Sequence, residues 1–319
     1  MLKTFLKIFI FLVLILGAAE VFLRYKYGFL NAPLYISDPD FEYIYAPNQE
    51  VYRFGNRIQT NEFSMRNDPI LPTDTTVILL VGDSVVLGGS LTDNDSLAST
   101  LLEKRLFRTL NRRVRVLNIA AGSWGPDNVA AYLKKFGLFN ADLICLVASS
   151  HDVHDIMTHA DVVGKDLNLP DKQYDWALQE LWVKYIYPIF LREHLESHAS
   201  FAPRAAPAQG PTTIHKNGVG FNPGFGELAT MAKQAGIPFF ILLHPEISEV
   251  EFGNYDGEGR QIIQFAQRDS IRLIKELDLG ISTAYYRKHD TIHYNSEGQL
   301  FLTNKLYPIF LEYLTSRQP

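Results

Sequence analysis

The chain has 319 residues, of which 47% are hydrophobic and 20% charged, and its formal net charge at pH 7 is -5. This length and apolar content exclude a disordered chain and suffice for one large globular domain or two small ones. The acidic balance, with no long run of lysine or arginine, indicates that the protein does not bind nucleic acid.

The N-terminus has the pattern of a membrane-targeting segment. Two lysines precede an apolar run from Ile8 to Leu23 that only Glu20 interrupts. Because this run approaches the ~20 residues that a spanning helix requires, we predict an uncleaved signal anchor over residues 1–26. A cleaved signal peptide is the alternative, since Gly17-Ala18-Ala19 offers a small-x-small cleavage site, and a buried amphipathic helix is a third.

Residues 27–75 form the next segment, which is rich in Tyr, Asn, Pro and Asp. We expect an irregular collar there between the membrane and the main body. Within it, VYRFGNRIQT predicts a β-hairpin, because Gly55-Asn56 separates two short strand-like arms.

From residue 76 onward, apolar strands alternate with segments of helical period. The strands are VILLV, VRVLNI, DLICLVA, IPFFILLH and LGIST, the last at residues 279–283. Helices are predicted near residues 94–110, 126–137, 224–235, 258–277 and 296–315. This alternation is typical of βαβ units and predicts an α/β domain with a parallel sheet over residues 76–319.

A long insertion, at about residues 158–222, separates the third strand from the fourth. Such excursions often form lids or binding loops. It carries an aromatic stripe at helical spacing: Tyr174, Trp176, Trp182 and Tyr185. We expect this stripe to pack its helix against the body, and stacking against sugar rings is the alternative.

The first strand of the domain ends in Gly82-Asp83-Ser84, which places a serine at a strand end. The following glycines lack the lysine of a phosphate-binding loop, and the G-x-S-x-G elbow is absent because Ser84 precedes two valines. In open α/β sheets, ligands bind at the carboxyl ends of strands. Ser84 is therefore a candidate nucleophile, and a plain turn residue is the alternative.

The segment HDTIHYNSEGQ near the C-terminus supplies a base and an orienting group. Asp290 and His293 lie three residues apart, just before a predicted helix that starts at Asn295 or Ser296. One turn can then direct both side chains to the same strand end. We predict that Asp290 fixes the tautomer of His293 and that His293 takes the proton of Ser84.

Taken together, these motifs resemble those of the SGNH/GDSL hydrolases, a family of serine esterases. The resemblance covers residues 77–315 and implies a flavodoxin-like three-layer α/β/α sandwich. Ser84 stands in the place of the nucleophile within the first family block, and Asp290-Thr291-Ile292-His293 matches the last block. The resemblance implies that no cofactor is required.

The resemblance also implies an oxyanion hole, and here the sequence departs from the family. The second block has a glycine five residues after a strand-ending asparagine, and counting from Asn118 gives Ser123, with Gly122 as the alternate. The third block, Gly-x-Asn-Asp, is replaced by Ser149-Ser150-His151-Asp152. The expected donors are therefore the backbone N–H groups of the nucleophile and of Ser123, together with the His151 side chain.

Further polar and aromatic residues belong to the same expected cleft. We take Asp83, Trp124, Asp152 and His244 as residues that line the substrate site. The motif HDVHD at 151–155 contains metal-binding residue types, but its histidines at i and i+3 are not the usual zinc pair, so no metal is expected.

Residues 118–157 resemble the subgroup of this family that occurs in bacterial exopolysaccharide gene clusters, including SWGPDN and SSHD. The resemblance implies an esterase for acyl esters of a polysaccharide, with acetyl expected, acting as deacetylase or acetyltransferase. Its catalytic domain is expected to face the periplasm or the cell exterior. Because both oxyanion positions depart from the family, the alternative is a catalytically degenerate polysaccharide-binding component of an assembly or export complex.

Overall fold

The computed structural model of the protein describes residues 2–190, 216 and 218–316. Part of the predicted insertion, residues 191–215, lies outside the described residues. The chain begins with helix α1 (Leu2–Tyr27), which carries the apolar N-terminal run on exposed side chains. Among the described residues, α1 is the one helix whose length and composition allow it to cross a membrane.

Two antiparallel hairpins follow α1. Strands β1 (Tyr35–Asp38) and β2 (Glu42–Tyr45) form the first, and β3 (Glu50–Arg53) and β4 (Asn56–Gln59) form the second. The second is the hairpin predicted from the sequence, although its turn is Phe54-Gly55. Both turn residues have positive φ, 51° and 81°, as the tightest hairpin turns require. The segment is thus more regular than a collar of loops, and its buried aromatic residues join the core of the main domain.

Five parallel strands form the central sheet. They are β5 (Val77–Gly82), β6 (Arg115–Ala120), β7 (Leu143–Ser149), β8 (Phe239–His244) and β9 (Arg272–Lys275). Their spatial order is β6-β5-β7-β8-β9, which is the flavodoxin-like order. The first three are buried along their whole length, which explains their almost continuous apolar sequences. The predicted α/β fold class is confirmed.

The predicted position of the fifth strand is wrong. Residues 279–283 join two short 3-10 turns, and β9 lies inside the segment predicted as helical at 258–277. β9 is an edge strand that pairs only with β8, and its four residues are half-buried or exposed. Because such a strand needs no continuous apolar run, its sequence RLIK gave no strand signal.

Helices cover both faces of the sheet. The helices that follow α1 in the described residues are α2 (Ser84–Leu87), α3 (Ala98–Leu110), α4 (Pro126–Phe136), α5 (Ala177–Leu181), α6 (Gly224–Ala235), α7 (Ile247–Phe252), α8 (Gly257–Arg268) and α9 (Ser296–Ser316), of which α5 packs against α1. The connection from β5 to β6 runs in one direction across the sheet, and the connection from β6 to β7 runs in the opposite direction. Because both crossovers are right-handed, α3 and α4 lie on opposite faces. Helix α3 packs against α9, and α4 packs against α6.

Glu20, the polar residue within the apolar run of α1, has a defined partner. It is buried, and its carboxylate accepts the N–H groups of Ala177 and Leu178 at the start of α5, each at 2.8 Å. Arg24, one turn later on α1, pairs with the same carboxylate at 2.5 Å. The C-terminal end of α1 is therefore attached to the insertion by a helix cap.

Candidate active site

The serine lies at a sharp turn between β5 and α2. Asp83 caps this short helix, because its Oδ1 accepts the N–H of Val85 at 2.8 Å. Gly82 is required by packing, since a Cβ there would lie 2.6 Å from the carbonyl oxygen of Val147 on the neighbouring strand. The turn leaves the side chain of Ser84 half-buried at the carboxyl edge of the sheet.

The structure brings together the three residues predicted as nucleophile, base and orienting group. Ser84 Oγ lies 2.9 Å from His293 Nε2. His293 Nδ1 lies 2.8 Å from Asp290 Oδ2 and 3.0 Å from Oδ1. The ordering Ser–His–Asp and these distances are those of a hydrogen-bonded catalytic triad.

Asp290 is held in place by the backbone as well as by His293. Its Oδ1 accepts the N–H groups of Ile292 at 3.0 Å and His293 at 3.1 Å. Burial raises the pKa of Asp290, but the hydrogen bond and charge of His293 and these backbone donors outweigh it and hold the pKa well below its usual range. The carboxylate therefore stays ionised and can orient the Nδ1–H of the imidazole.

His244 supports this loop from below. It is fully buried, so the prediction that it lines the substrate cleft is wrong. Its Nε2 donates to the carbonyl oxygen of Ile292 at 2.8 Å, and its Nδ1 lies 2.6 Å from Glu276 Oε2. Because Ile292 directly precedes His293, His244 is a positioning residue for the base.

The loop after β6 contains the predicted second oxyanion position. Ser123 has φ of 56°, the left-handed region that favours glycine, and the family has glycine at this position. Within the described part of the chain, the backbone N–H groups of Ser84 and Ser123 have no hydrogen-bond partner. Both are thus free to donate to an oxyanion.

The N-terminal hairpins hold this loop. Tyr43 on β2 donates its hydroxyl to the carbonyl oxygen of Gly122 at 3.0 Å, and Trp124 Nε1 donates to the carbonyl oxygen of Tyr43 at 2.8 Å. Trp124 is fully buried against Phe41 and Tyr132, so the prediction that it lines the cleft is wrong. Its large apolar surface anchors the loop in the core.

Replacing Ser123 with glycine is expected to leave kcat for p-nitrophenyl acetate within about two-fold of wild type, because the oxyanion donor here is the backbone N–H. The control is Ser270→Gly. Ser270 also has a left-handed backbone, with φ of 55°, but it lies on an exposed turn, so this variant shows the effect of the serine-to-glycine change itself. Steady-state kinetics on both variants measure the effect. A loss of tenfold or more in Ser123→Gly alone would show that the hydroxyl, and not the N–H, contributes.

His151 lies among four carboxylates. Its Nε2 is 3.5 Å from Asp83 Oδ2, 3.9 Å from Asp152 Oδ1 and 3.8 Å from Asp155 Oδ2, and its Nδ1 is 3.3 Å from Glu246 Oε1. Burial lowers the pKa of His151, but these carboxylates outweigh it and raise the pKa well above its usual value. Both ring nitrogens thus have neighbours that compete with an oxyanion. The role of His151 as third oxyanion donor stays a prediction.

Asp83 and Asp152 do not line an open cleft, contrary to the prediction. Each is only 2% exposed. Asp152 Oδ2 accepts the N–H of Ser149 at 2.7 Å, and Asp83 Oδ1 accepts the N–H of Val85 at the start of α2. Both carboxylates lie beneath the surface at the ends of β5 and β7, where they cap the turns that follow these strands.

Arg66 is a further residue of the site that the sequence analysis missed. Its buried guanidinium donates to the carbonyl oxygens of Leu87 and Gly89 at 2.8 Å each, and to Asn94 Oδ1 at 2.6 Å. Burial lowers the pKa of Arg66 to about 10, so the group remains charged at neutral pH. It satisfies the carbonyl groups at the end of α2 and so fixes the segment that follows Ser84.

Comparisons with known proteins give the following likenesses. No protein-family model matches the chain, and no curated protein matches it. A member of the lipolytic protein G-D-S-L family from Veillonella parvula has 13% identity and a TM-score of 0.39, over 74% of this chain and 98% of that chain. The psychrotrophic esterase EstA from Pseudoalteromonas sp. has 11% identity and a TM-score of 0.41, over 76% of this chain and 100% of that chain.

A two-domain esterase active on acetylated mannans has 12% identity and a TM-score of 0.43, over 77% of this chain and 52% of that chain. This chain is similar to the SGNH/GDSL hydrolases. The strand order is the one that the sequence motifs predicted, and Ser84 lies at the end of β5, as they also predicted.

Proposed function

We propose that the protein is a serine esterase in which Ser84 is the nucleophile, His293 the general base and acid, and Asp290 the orienting group. The observation that carries the proposal is the pair of hydrogen bonds through His293, 2.9 Å to Ser84 Oγ and 2.8 Å to Asp290 Oδ2. A serine hydroxyl becomes a useful nucleophile only when such a base lies within hydrogen-bond reach.

The mechanism begins when Ser84 Oγ bonds to the ester carbonyl carbon and its proton passes to His293 Nε2. The carbonyl oxygen becomes an oxyanion, which the N–H groups of Ser84 and Ser123 stabilise. Each such donor is worth about 10²- to 10³-fold in rate. The C–O bond of the leaving alcohol then breaks, His293 protonates that alcohol, and the acyl group remains on Ser84. A second hydroxyl, activated by His293, takes the acyl group and returns the serine.

The substrate class rests on sequence resemblance rather than on geometry. The stretch 118–157 resembles members from exopolysaccharide clusters, so we propose an acyl ester of a polysaccharide, with acetyl as the acyl group. If water is the second hydroxyl, the protein is a deacetylase, and if a sugar hydroxyl takes that place, it is an acetyltransferase. Both reactions use the same acyl-enzyme.

Covalent labelling tests this function directly. A fluorophosphonate probe is expected to modify Ser84 in the wild-type protein, with loss of labelling in His293→Ala, and intact-protein and peptide mass spectrometry locate the adduct. Acetate release from acetylated xylan or mannan, measured with and without an added acceptor oligosaccharide, separates hydrolysis from transfer. A folded wild-type protein that neither reacts with the probe nor releases acetate would favour the degenerate, polysaccharide-binding alternative.

We further propose that α1 anchors the protein in the membrane with the catalytic domain outside the cytoplasm. A reporter enzyme that works only outside the cytoplasm is expected to be active when it is fused after Pro319. The full-length protein should also remain in the membrane fraction after a high-salt wash. A fusion without α1 serves as the control. A reporter that works only in the cytoplasm would contradict the orientation.

A further inference from the structure

Three ligand atoms of the kind that metal ions bind lie together beside the nucleophile. They are Asp83 Oδ2, His151 Nε2 and Asp152 Oδ1, all within 4.8 Å of one another. Asp83 follows β5 directly, and the other two follow the adjacent strand β7, so the topology of the sheet brings them together. This group is separate from the triad.

Two of the three atoms are buried and, among the described residues, accept no hydrogen bond of normal geometry. They are Asp83 Oδ2 and Asp152 Oδ1, and both belong to residues that are 2% exposed. The other oxygen of each carboxylate is fixed by a backbone N–H, from Val85 and from Ser149. Each carboxylate is thus held by one oxygen and directs the other, unsatisfied, toward the imidazole.

The distances in this group also fit ligands of a shared ion. His151 Nε2 lies 3.5 Å from Asp83 Oδ2, which is long for a hydrogen bond, and 3.9 Å from Asp152 Oδ1. Ligands that each bind one ion at about 2.0–2.2 Å lie about 3–4 Å apart. Asp155 Oδ2 lies 3.8 Å from the same nitrogen but is not close to all three ligand atoms, so it is a neighbour of the group and not a member of it.

The opposite side of the imidazole has the support that a metal-binding histidine requires. His151 Nδ1 lies 3.3 Å from Glu246 Oε1. A metal-ligating histidine usually donates its second ring N–H to a carboxylate, which fixes the tautomer and leaves the other nitrogen free to bind. Glu246 is placed to accept that proton, and a His151 held in this way has no N–H left for the predicted role of oxyanion donor.

A cation would also suit the charges of this group. Asp83 and Asp152 face each other across one imidazole, with Asp155 and Glu246 close by. Buried carboxylates of like charge are stable together only with a proton or a cation between them.

We propose that Asp83, His151 and Asp152 bind a divalent transition-metal ion. One imidazole and two carboxylates suit Mn²⁺ or Zn²⁺. The ion lies at the turn that precedes Ser84 and holds the ends of β5 and β7 together. The HDVHD motif alone did not predict this site, because Asp83 lies far upstream of it in the sequence. Binding is measured without turnover, so this inference does not depend on the proposed esterase function.

Titration of the full-length protein in detergent, after treatment with EDTA, tests the proposal. MnCl₂ and ZnCl₂ are added separately, with binding followed by calorimetry, thermal unfolding and, for Mn²⁺, electron paramagnetic resonance. We expect one ion per chain and a thermal midpoint that rises with ion concentration. Mg²⁺ and Ca²⁺ should bind at least about tenfold more weakly, because imidazole is a poor ligand for them.

Four variants complete the test. His151→Gln, at a half-exposed side chain, and Asp152→Asn should each weaken binding at least about tenfold. Glu258→Gln, which removes the carboxylate 3.6 Å from His154 instead, should bind as the wild type does, and so should Ser84→Ala. No binding by the wild type, or equal binding by His151→Gln and Asp152→Asn, would assign the cluster to an imidazolium among carboxylates and overturn the proposal.

Discussion

Replacing Ser84 with alanine should lower kcat for p-nitrophenyl acetate by at least about 10⁴-fold and leave the thermal midpoint close to that of the wild type. The loss is large because removal of a triad nucleophile leaves only binding and oxyanion stabilisation. The fold is unaffected because the half-buried hydroxyl has one hydrogen bond, to His293, and alanine is a good first residue for α2. Kinetics and thermal unfolding of the purified variant measure both quantities.

Ser90→Ala provides the matched control, since Ser90 lies on the loop that follows the same short helix and its hydroxyl has no hydrogen bond among the described residues. It should keep wild-type activity. Full activity in Ser84→Ala would remove the triad assignment, and an equal loss in Ser90→Ala would indicate a general effect of this loop on folding.

Replacing Asp290 with asparagine should lower kcat by about 10⁴-fold, although the side chain keeps its size. The amide can donate to His293 Nδ1, which favours the tautomer with its proton on Nε2, and that nitrogen then cannot accept the proton of Ser84. Kinetics at several pH values measure the loss. Asp269→Asn is the control, because Asp269 is exposed at the end of α8 and pairs with its neighbour Arg268.

An activity loss in Asp290→Asn of less than tenfold would contradict the role of Asp290 as orienting group. Rescue at high pH would also argue against a tautomer effect, since the wrong tautomer of a neutral imidazole persists as pH rises.

The stability of the protein should depend on Asp290 in acid. Burial raises the pKa of this group, but His293 and the backbone donors lower it below the value of about 3.9 expected in the unfolded chain. A lowered folded pKa contributes stability that is present above the unfolded pKa and is lost as pH falls through the folded pKa. Urea unfolding at pH 7 and near pH 3 should therefore show a smaller acid loss in Asp290→Asn than in wild type. An unchanged pH dependence would contradict the ionised carboxylate.

The juxtaposition of Ser84, Asp290 and His293 could be predicted from the sequence, because all three lie on short local motifs at strand ends. Ser84 follows an unmistakable apolar strand, and parallel topology directs that end toward the loop that carries Asp290 and His293. The strands of the sheet that are buried on both faces could be predicted, because they have nearly continuous apolar sequences. The half-exposed strand β9 could not, because its short sequence RLIK, with two apolar residues between two charged ones, occurs in helices as well.

The supports of the site could not be predicted, because they are contacts between distant parts of the chain. Arg66 gave no signal, since a charged residue in a polar segment is normally exposed, and only the folded loop supplies the carbonyl oxygens that bind it. His244 and Trp124 were recognised as special but assigned to the cleft. A histidine at a strand end can face either the site or the core. His244 faces the core because its hydrogen-bond partner, Glu276, is itself fully buried.

The junction after α1 determines how far an anchored form of this protein can reach. Glu20 caps α5, and Gly28, just past the helix, accepts a hydrogen bond from the buried Arg53 at 2.8 Å. A flexible tether would let Ser84 sweep a hemisphere above the bilayer. If α1 spans a membrane as proposed, this rigid junction leaves the protein free to diffuse laterally and to rotate about the membrane normal, but it fixes the height of Ser84. The proposed polysaccharide would then react only where it passes at that height above the membrane.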